Sequence, residues 1–142
     1  MLTMLQANTI VDAALAKGRK LGLAPLAVVV LDAGGHLIVA KREDGAGILR
    51  SDIAFGKAWG SLGMGFSSRE LASRAAAMPA FFGMLATSSG GRLVASPGGL
   101  LIHDDDGQLV GAIGISGDLG DQDEICAAAG IAAASLHSTP IS

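Results

Sequence analysis

Tyrosine is absent from this 142-residue chain, and tryptophan and cysteine occur once each. The lone Cys126 excludes an internal disulfide and fits a reducing compartment, so a cytoplasmic location is expected. Charge is sparse: 10 Lys and Arg oppose 13 Asp and Glu, for a formal net charge of −3. With no basic run, the electrostatic footprint of a nucleic-acid binder is missing, and no nucleic-acid partner is expected. No apolar stretch reaches the roughly 18 residues of a membrane span. The N-terminus lacks the basic-then-apolar order of a secretory signal, so no membrane partner is expected either. His36, His103 and His137 fall into no H-x-x-H, H-x-x-x-H or Cys–His spacing, so no metal site is expected. His36 and His103 border turns and read as solvated strand ends. There is neither a G-x-G-x-x-G nor a phosphate-loop ending, and a nucleotide site is not expected.

What the chain does have is glycine, 21 residues of it, and a composition that is 50% hydrophobic. Such a chain packs by close backbone approach more than by bulky side chains. Few charges on a hydrophobic chain also predict apolar surface buried between copies, hence a homo-oligomer. The length suits a single domain, residues 1–142, with its own core.

Taken in order, residues 3–21 have helical spacing, with Gly22 as a stop. Residues 26–31 and 36–42 are two strands around the Asp32-Ala33-Gly34-Gly35 turn, a hairpin. Residues 48–62 read as a helix whose bulky arc is Ala54, Phe55, Ala58, Trp59 and Leu62. Lys57 lies off that arc, which places it in solvent or at a subunit or ligand surface. Ser67 to Glu70 has the spacing of a capping box, opening a helix that Pro79 breaks; a short helix follows over 80–86. Residues 92–95 read as a short strand. Residues 100–103 and 108–116 make a second hairpin around Asp104-Asp105-Asp106-Gly107, a turn rather than a calcium loop.

The stretch from Gly111 to Glu124 organises the rest. Gly111 and Gly114 interrupt a buried strand, which signals a close backbone approach. Gly117 and Gly120 allow a tight turn, and Asp118 or Asp121 is placed to cap a last helix running to about Leu136. Ile125, Ala128, Ala129, Ala132 and Leu136 share its apolar face. The whole predicts an α/β (α+β) fold, a five-stranded antiparallel sheet carrying helices.

These residues resemble the GlcG/HbpS-like family, which covers GlcG proteins, haem-binding HbpS proteins and the C-terminal domain of PduO-type adenosyltransferases. The resemblance is carried by Val28 to His36, Arg42 to Ala46, Lys57-Ala58, Ser96 to Gly99, Gly111 to Gly117, Gln122-Asp123-Glu124 and Ala127 to Gly130. It implies a profilin-like fold with helices on both faces of the sheet, and homo-oligomers. It further implies small-molecule binding, with haem or a corrinoid as the ligand of some members. Members that hold a tetrapyrrole tend to use a histidine on the first helix, where this chain has only Gln6 and Asn8. Trp59 stands where the family usually has a small or hydroxyl residue.

The polar residues at loops make the candidate site. Arg42, Asp44, Lys57 and Asp123, with backbone amides of the Pro97-Gly98-Gly99 turn and Gly117, would line a pocket if the strand ends converge. Two cations, two carboxylates and free N–H groups suit a small carboxylate, with Arg42 holding the anion. Lys57 and Asp123 would then move protons, as in a cofactor-independent lyase or isomerase acting on a small oxygenated metabolite. The competing reading makes Arg42–Asp44 and Lys57–Asp123 structural ion pairs at a subunit interface. A small-molecule-binding protein, with haem or a corrinoid as ligand, and a metal-free enzyme are therefore the two leading expectations, with a structural accessory subunit lacking any pocket as the third. Cys126, with acids in the same helical turn, is not expected to be a nucleophile.

Overall fold

A computed structural model describes residues 1–138. The helix α1 (Met4–Lys20) begins at a capping box: Thr3 Oγ1 accepts from Gln6 N–H, and the Gln6 side chain accepts from Thr3 N–H. It ends at Gly22, whose φ of +68° is open to glycine at no steric cost. The strands β1 (Ala27–Asp32) and β2 (Leu37–Arg42) follow as the expected hairpin. Three helices come next, α2 (Arg50–Met64), α3 (Ser68–Ala77) and α4 (Pro79–Ser88). The strands β3 (Gly99–His103) and β4 (Leu109–Ser116) form the second hairpin around the Asp-Gly turn. The chain closes with α5 (Gly120–Ala133) and the two-residue strand β5 (His137–Ser138). The sheet has five strands in the order β2-β1-β4-β3-β5, all antiparallel neighbours.

Helices cover both faces. On one, α1 and α5 close over an aliphatic core that includes Ile10, Val28, Val30, Ile102, Ile113, Ile115 and Ile131. Each fully buried side chain of this size contributes about 1.5–3 kcal/mol. On the other, α2 lies against Ala27, Val29, Leu31, Leu101 and Ala112, contributing mostly Ala54 and Ala58. Small residues let backbones meet there. A Cβ on Gly114 would stand 1.9 Å from the Ala54 carbonyl oxygen, and one on Gly99 would stand 2.6 Å from that of Lys57. No helix among the described residues is long and apolar enough to cross a membrane.

The structure corrects four expectations. The fifth strand is His137–Ser138, not residues 92–95, which lie along α2 with Val94 N–H donating to Gly56 O at 3.2 Å. An apolar run reads alike whether it pairs with a strand or lies on a helix. The inward face of α5 is Asp123, Cys126, Ala127, Gly130 and Ile131, while Ile125 is 45% exposed. A helix so rich in alanine carries almost no directional signal. Neither Asp118 nor Asp121 caps α5: Leu119 is its N-cap, without a side-chain bond. The Asp118 carboxylate instead accepts from Ala24 N–H at 2.9 Å and Leu119 N–H at 2.8 Å, which holds it below the usual carboxylate range. Lys57, expected at a surface, is buried at 3% exposure: the expected arc does meet the sheet, but centred on Ala54 and Ala58 with Phe55, Trp59 and Leu62 at its margin, and helix α2 sits close enough for Lys57 to be enclosed at the end of β4.

Candidate functional site at the end of the sheet

The strand ends do converge. The antiparallel register puts Arg42 beside Ala27, Ala27 beside Ser116, and Gly99 beside Gly114, so the loops carrying most of the expected residues gather at one edge. Within that edge the structure makes two groups rather than one.

The first group is buried. Lys57 comes from α2 and Asp123 from α5, helices on opposite faces of the sheet, and they meet beyond the end of β4. Lys57 Nζ lies 3.2 Å from Asp123 Oδ2 and donates to the Ile115 carbonyl at 2.8 Å. Asp123 Oδ1 accepts from Asp118 N–H at 3.1 Å. Asp123 has no exposed surface. Burial pushes the Lys57 ammonium down and the Asp123 carboxyl up, against the mutual attraction of the pair. Gly98 closes the site: a Cβ there would stand 2.9 Å from Lys57 Nζ and 3.1 Å from Asp123 Cβ. Gly99 N–H donates to Ser68 Oγ at 2.6 Å, fixing the Pro97-Gly98-Gly99 turn to α3. Pro97 backs this turn against Gly120, at whose Cβ position its carbonyl oxygen would be 3.0 Å away.

The second group is open. Arg19, Pro25, Arg42, Glu43 and Asp44 line a groove of about 410 Å³. Arg19 pairs with Glu43 at 3.1 Å, while Arg42 donates to the Ala46 carbonyl at 2.9 Å. Among the described residues Arg42 has no ion-pair partner, so the Arg42–Asp44 pair does not form here. Gly117 borders this side, at φ +151° with its Cβ position 2.3 Å from the Pro25 carbonyl oxygen, a contact open only to glycine.

Arg50 escaped the sequence reading. It donates to Ser116 Oγ at 3.2 Å, and its charge also disfavours protonation of Lys57. The signal was present: Arg50 and Lys57 are seven residues apart, two turns on one helical face. Arg69 was missed as well. Its Nε lies 3.1 Å from both Glu124 carboxylate oxygens, and its Nη2 bonds Asp121, tying α3 to the first turn of α5.

At the opposite end of the sheet, His36 lines a cavity of about 300 Å³ with Leu2, Asp32, Leu109 and Val110. Asp32 Oδ1 accepts from Gly34 N–H and His36 N–H and lies 3.2 Å from His36 Nδ1. Those backbone donors hold the Asp32 carboxyl below its usual range. The imidazole is 82% exposed. No cluster of three or more His, Cys, Asp or Glu suited to a metal ion occurs among the described residues. Cys126 is buried, and its thiol is pushed up to about 11 by that burial and by Asp123.

Comparison with known proteins accounts for this architecture. A family model described as haem degrading protein HbpS-like matches residues 2–132. Corrinoid adenosyltransferase PduO of Citrobacter freundii is 32% identical over 113 residues, which are 80% of this chain and 33% of PduO. The chain thus spans about a third of that curated relative. The crystal structure of a PduOC:heme complex superposes with a TM-score of 0.87 at 30% identity, covering 98% of this chain and 99% of that one. The crystal structure of HbpS superposes with a TM-score of 0.78 at 31% identity, covering 92% and 88%. By its match over nearly all residues and by its layered sheet, the chain belongs to the HbpS-like family.

Proposed function

We infer that this protein is a homo-oligomeric tetrapyrrole-binding protein whose ligand is haem or a corrinoid. The observation that carries the reading is the near-complete superposition on PduOC, a protein crystallised with haem. The residues present fit such a group at the His36 cavity. With the Nδ1 proton directed at Asp32, the ring leaves Nε2 free for a metal, the carboxylate–histidine arrangement that orients imidazole ligands. Leu2, Leu109 and Val110 supply an apolar wall. Cys126 offers no alternative, since a buried thiol with its titration at about 11 is not a thiolate at neutral pH. The bound group would supply iron or cobalt redox and ligand chemistry. At about 300 Å³ the cavity is at the small end of ligand pockets, and a second copy of the chain would complete the enclosure.

Hemin titration followed by absorbance and native mass spectrometry tests this. One haem per subunit with a shifted Soret band is expected. His36→Ala should abolish the shift with the fold intact, and Asp32→Asn should weaken binding about 10–100-fold. A chain that takes up neither hemin nor a cobalamin overturns the reading. Bleaching of the bound Soret band under reductant and oxygen would assign degradation rather than storage.

The buried pair supports a second reading, an acid–base enzyme acting on a small carboxylate-bearing metabolite. Lys57 pushed down and Asp123 pushed up is the pattern of groups prepared for proton transfer. Arg42, with guanidinium donors to spare, would hold the carboxylate in the open groove beside Asp44 and Gly117. Substrate would reach Lys57 only if the Pro97-Gly98-Gly99 turn moved aside. Under this reading, Lys57→Ala or Asp123→Asn lowers turnover at least about a hundredfold. Full turnover in both variants would leave the pair a structural clasp.

A further inference from the structure

The helix α2 presents three glycines on one stripe, Gly56, Gly60 and Gly63, spaced by four and three residues. The first two are filled. A Cβ on Gly56 would stand 2.4 Å from both the Arg92 carbonyl oxygen and Val94 Cγ2, and one on Gly60 would stand 3.1 Å from Leu93 Cγ. The segment 92–94 therefore lies directly on the helix. At Gly63 the stripe continues but the filling stops: nothing lies within 4 Å of its Cβ position.

That gap is the floor of a cavity of about 220 Å³. Trp59, Met64, Leu85 and Leu93 form its apolar walls, and Ser88 and Arg92 stand at its polar side. A second cavity, also about 220 Å³, shares Trp59 and Gly63 and continues to Gly35. Trp59 thus stands between two spaces. The Arg92 guanidinium carbon lies 4.3 Å over the Trp59 ring, and Nε donates to the Ser89 carbonyl at 2.9 Å. Arg92 has no carboxylate partner among the described residues. Stacking and the Nε bond hold the guanidinium plane in place, and its terminal amino groups have no partner among the described residues. The Ser88 hydroxyl has none among them either.

We propose that this cavity is a binding site for a small aromatic monocarboxylate. The aromatic body lies against Trp59, Leu85 and Leu93, and the carboxylate takes the free donors of Arg92. An apolar pocket with one convergent cation selects an apolar anion over a polar or a neutral ligand. Its size sets the ligand: 220 Å³ equals about seven waters at roughly 30 Å³ each, room for one ring with a short acid arm. The site has its own cation in Arg92, and Trp59 stands between it and the space that leads past Gly34 toward the His36 cavity.

The chain reports on the site itself. Trp59 is its one tryptophan and tyrosine is absent, so ultraviolet-excited emission comes from the pocket wall. Phenylacetate and the neutral phenylacetamide are titrated against that emission. A saturable change is expected with phenylacetate, and binding at least about tenfold weaker with the amide, the low end for a charge-assisted hydrogen bond. Arg92→Gln should bring phenylacetate down to the amide's level. Gly63→Leu should fill the floor and abolish saturation at an unchanged far-ultraviolet circular dichroism spectrum. Hemin binding should be unaltered in Arg92→Gln. Equal binding of acid and amide, no saturable response to phenylacetate, or full phenylacetate binding by Gly63→Leu each overturns the proposal.

Discussion

The two faces of the sheet are closed by different means. Toward α1 and α5 the strands present isoleucine, leucine and valine, and the layers are held apart by the side chains that join them. Toward α2 they present alanine and glycine among Val29, Leu31 and Leu101, and at Gly99 and Gly114 the helix backbone rests on the strand. The first face is held by apolar area removed from water; the second buries less of it and depends on shape. The α2 face is also where the molecule spends its polar interior. Lys57 reaches from it around the end of β4 to Asp123 on the other layer, so one ion pair clasps both helical layers across the edge of the sheet. The cavities beside Trp59 lie on the same side. Where the backbone contact of the α2 face ends, it leaves these cavities; the openings on the aliphatic side, at His36 and at Arg42, lie at the two ends of the sheet.

Cutting the clasp should have the largest effect. Asp123→Asn leaves the Lys57 ammonium buried without an opposite charge, and a loss of about 3–5 kcal/mol in denaturant unfolding is expected. Lys57→Met should turn the loss into a pH dependence. Burial already raises the Asp123 carboxyl above its unfolded value, and removing the lysine removes the main opposing attraction. For an acid whose folded pKa is raised, stability is fully present below the unfolded value and lost as pH rises through the folded one. The variant should therefore be most stable near pH 4 or below and lose stability toward neutrality, more steeply than the parent. A flat difference across that range would mean that Asp123 does not stay buried without its partner. The double variant Lys57→Met/Asp123→Leu should recover most of the loss.

Two adjacent residues of β4 compare the faces directly. Ile113 points to α1 and α5, and Gly114 points to α2. Ile113→Ala removes volume from a filled core, at about 2–5 kcal/mol. Gly114→Ala adds one methyl, yet that methyl would stand 1.9 Å from the Ala54 carbonyl oxygen, a backbone atom that moves only with α2. A loss of about 1–3 kcal/mol is expected from this overpacking. The distinction shows in emission as well as stability: Gly114→Ala should shift the Trp59 spectrum by displacing α2, and Ile113→Ala should leave it unchanged. The same shift in both variants would mean that the layers are not independent.

The difference between the faces also decided what could be read from the sequence. The aliphatic face was legible because the strands carry unbroken runs, Leu26 to Leu31 among them, and Asp-Gly and Gly-Gly turns marked both hairpins. The pairing of Lys57 with Asp123 was legible as a chemical match between loop-edge charges, although its burial was not. The bulky arc of α2 suggested that Phe55 and Trp59 face inward, whereas the sheet's own glycines meet the helix backbone at Ala54, Lys57 and Ala58. Periodicity weighs large side chains and is blind to contacts made by missing ones. The run Arg92 to Ala95 misled for the same reason. Its partner is the glycine stripe of α2, which leaves no trace in the local sequence of the segment. Arg42 and Lys57 could not be separated without coordinates, because only the layer crossing shows that one lies in an open groove and the other behind Gly98.

The smallest predicted effect has the opposite sign and limits the comparison. Gly83 lies within α4, where nothing stands within 4 Å of its Cβ position, so it is not a contact glycine of the α2 kind. Its contribution is then only the backbone freedom of a glycine in a helix, and Gly83→Ala should raise stability by about 0.5–1 kcal/mol. The measurement separates two meanings of a glycine-rich composition. If Gly83→Ala stabilises while Gly114→Ala destabilises, glycines outside the positive-φ turns serve this fold only where backbones touch. If Gly83→Ala destabilises instead, α4 is covered in solution by something a methyl group obstructs. Met78, Phe81 and Met84 on its exposed surface would then be the place to look for the neighbouring copy.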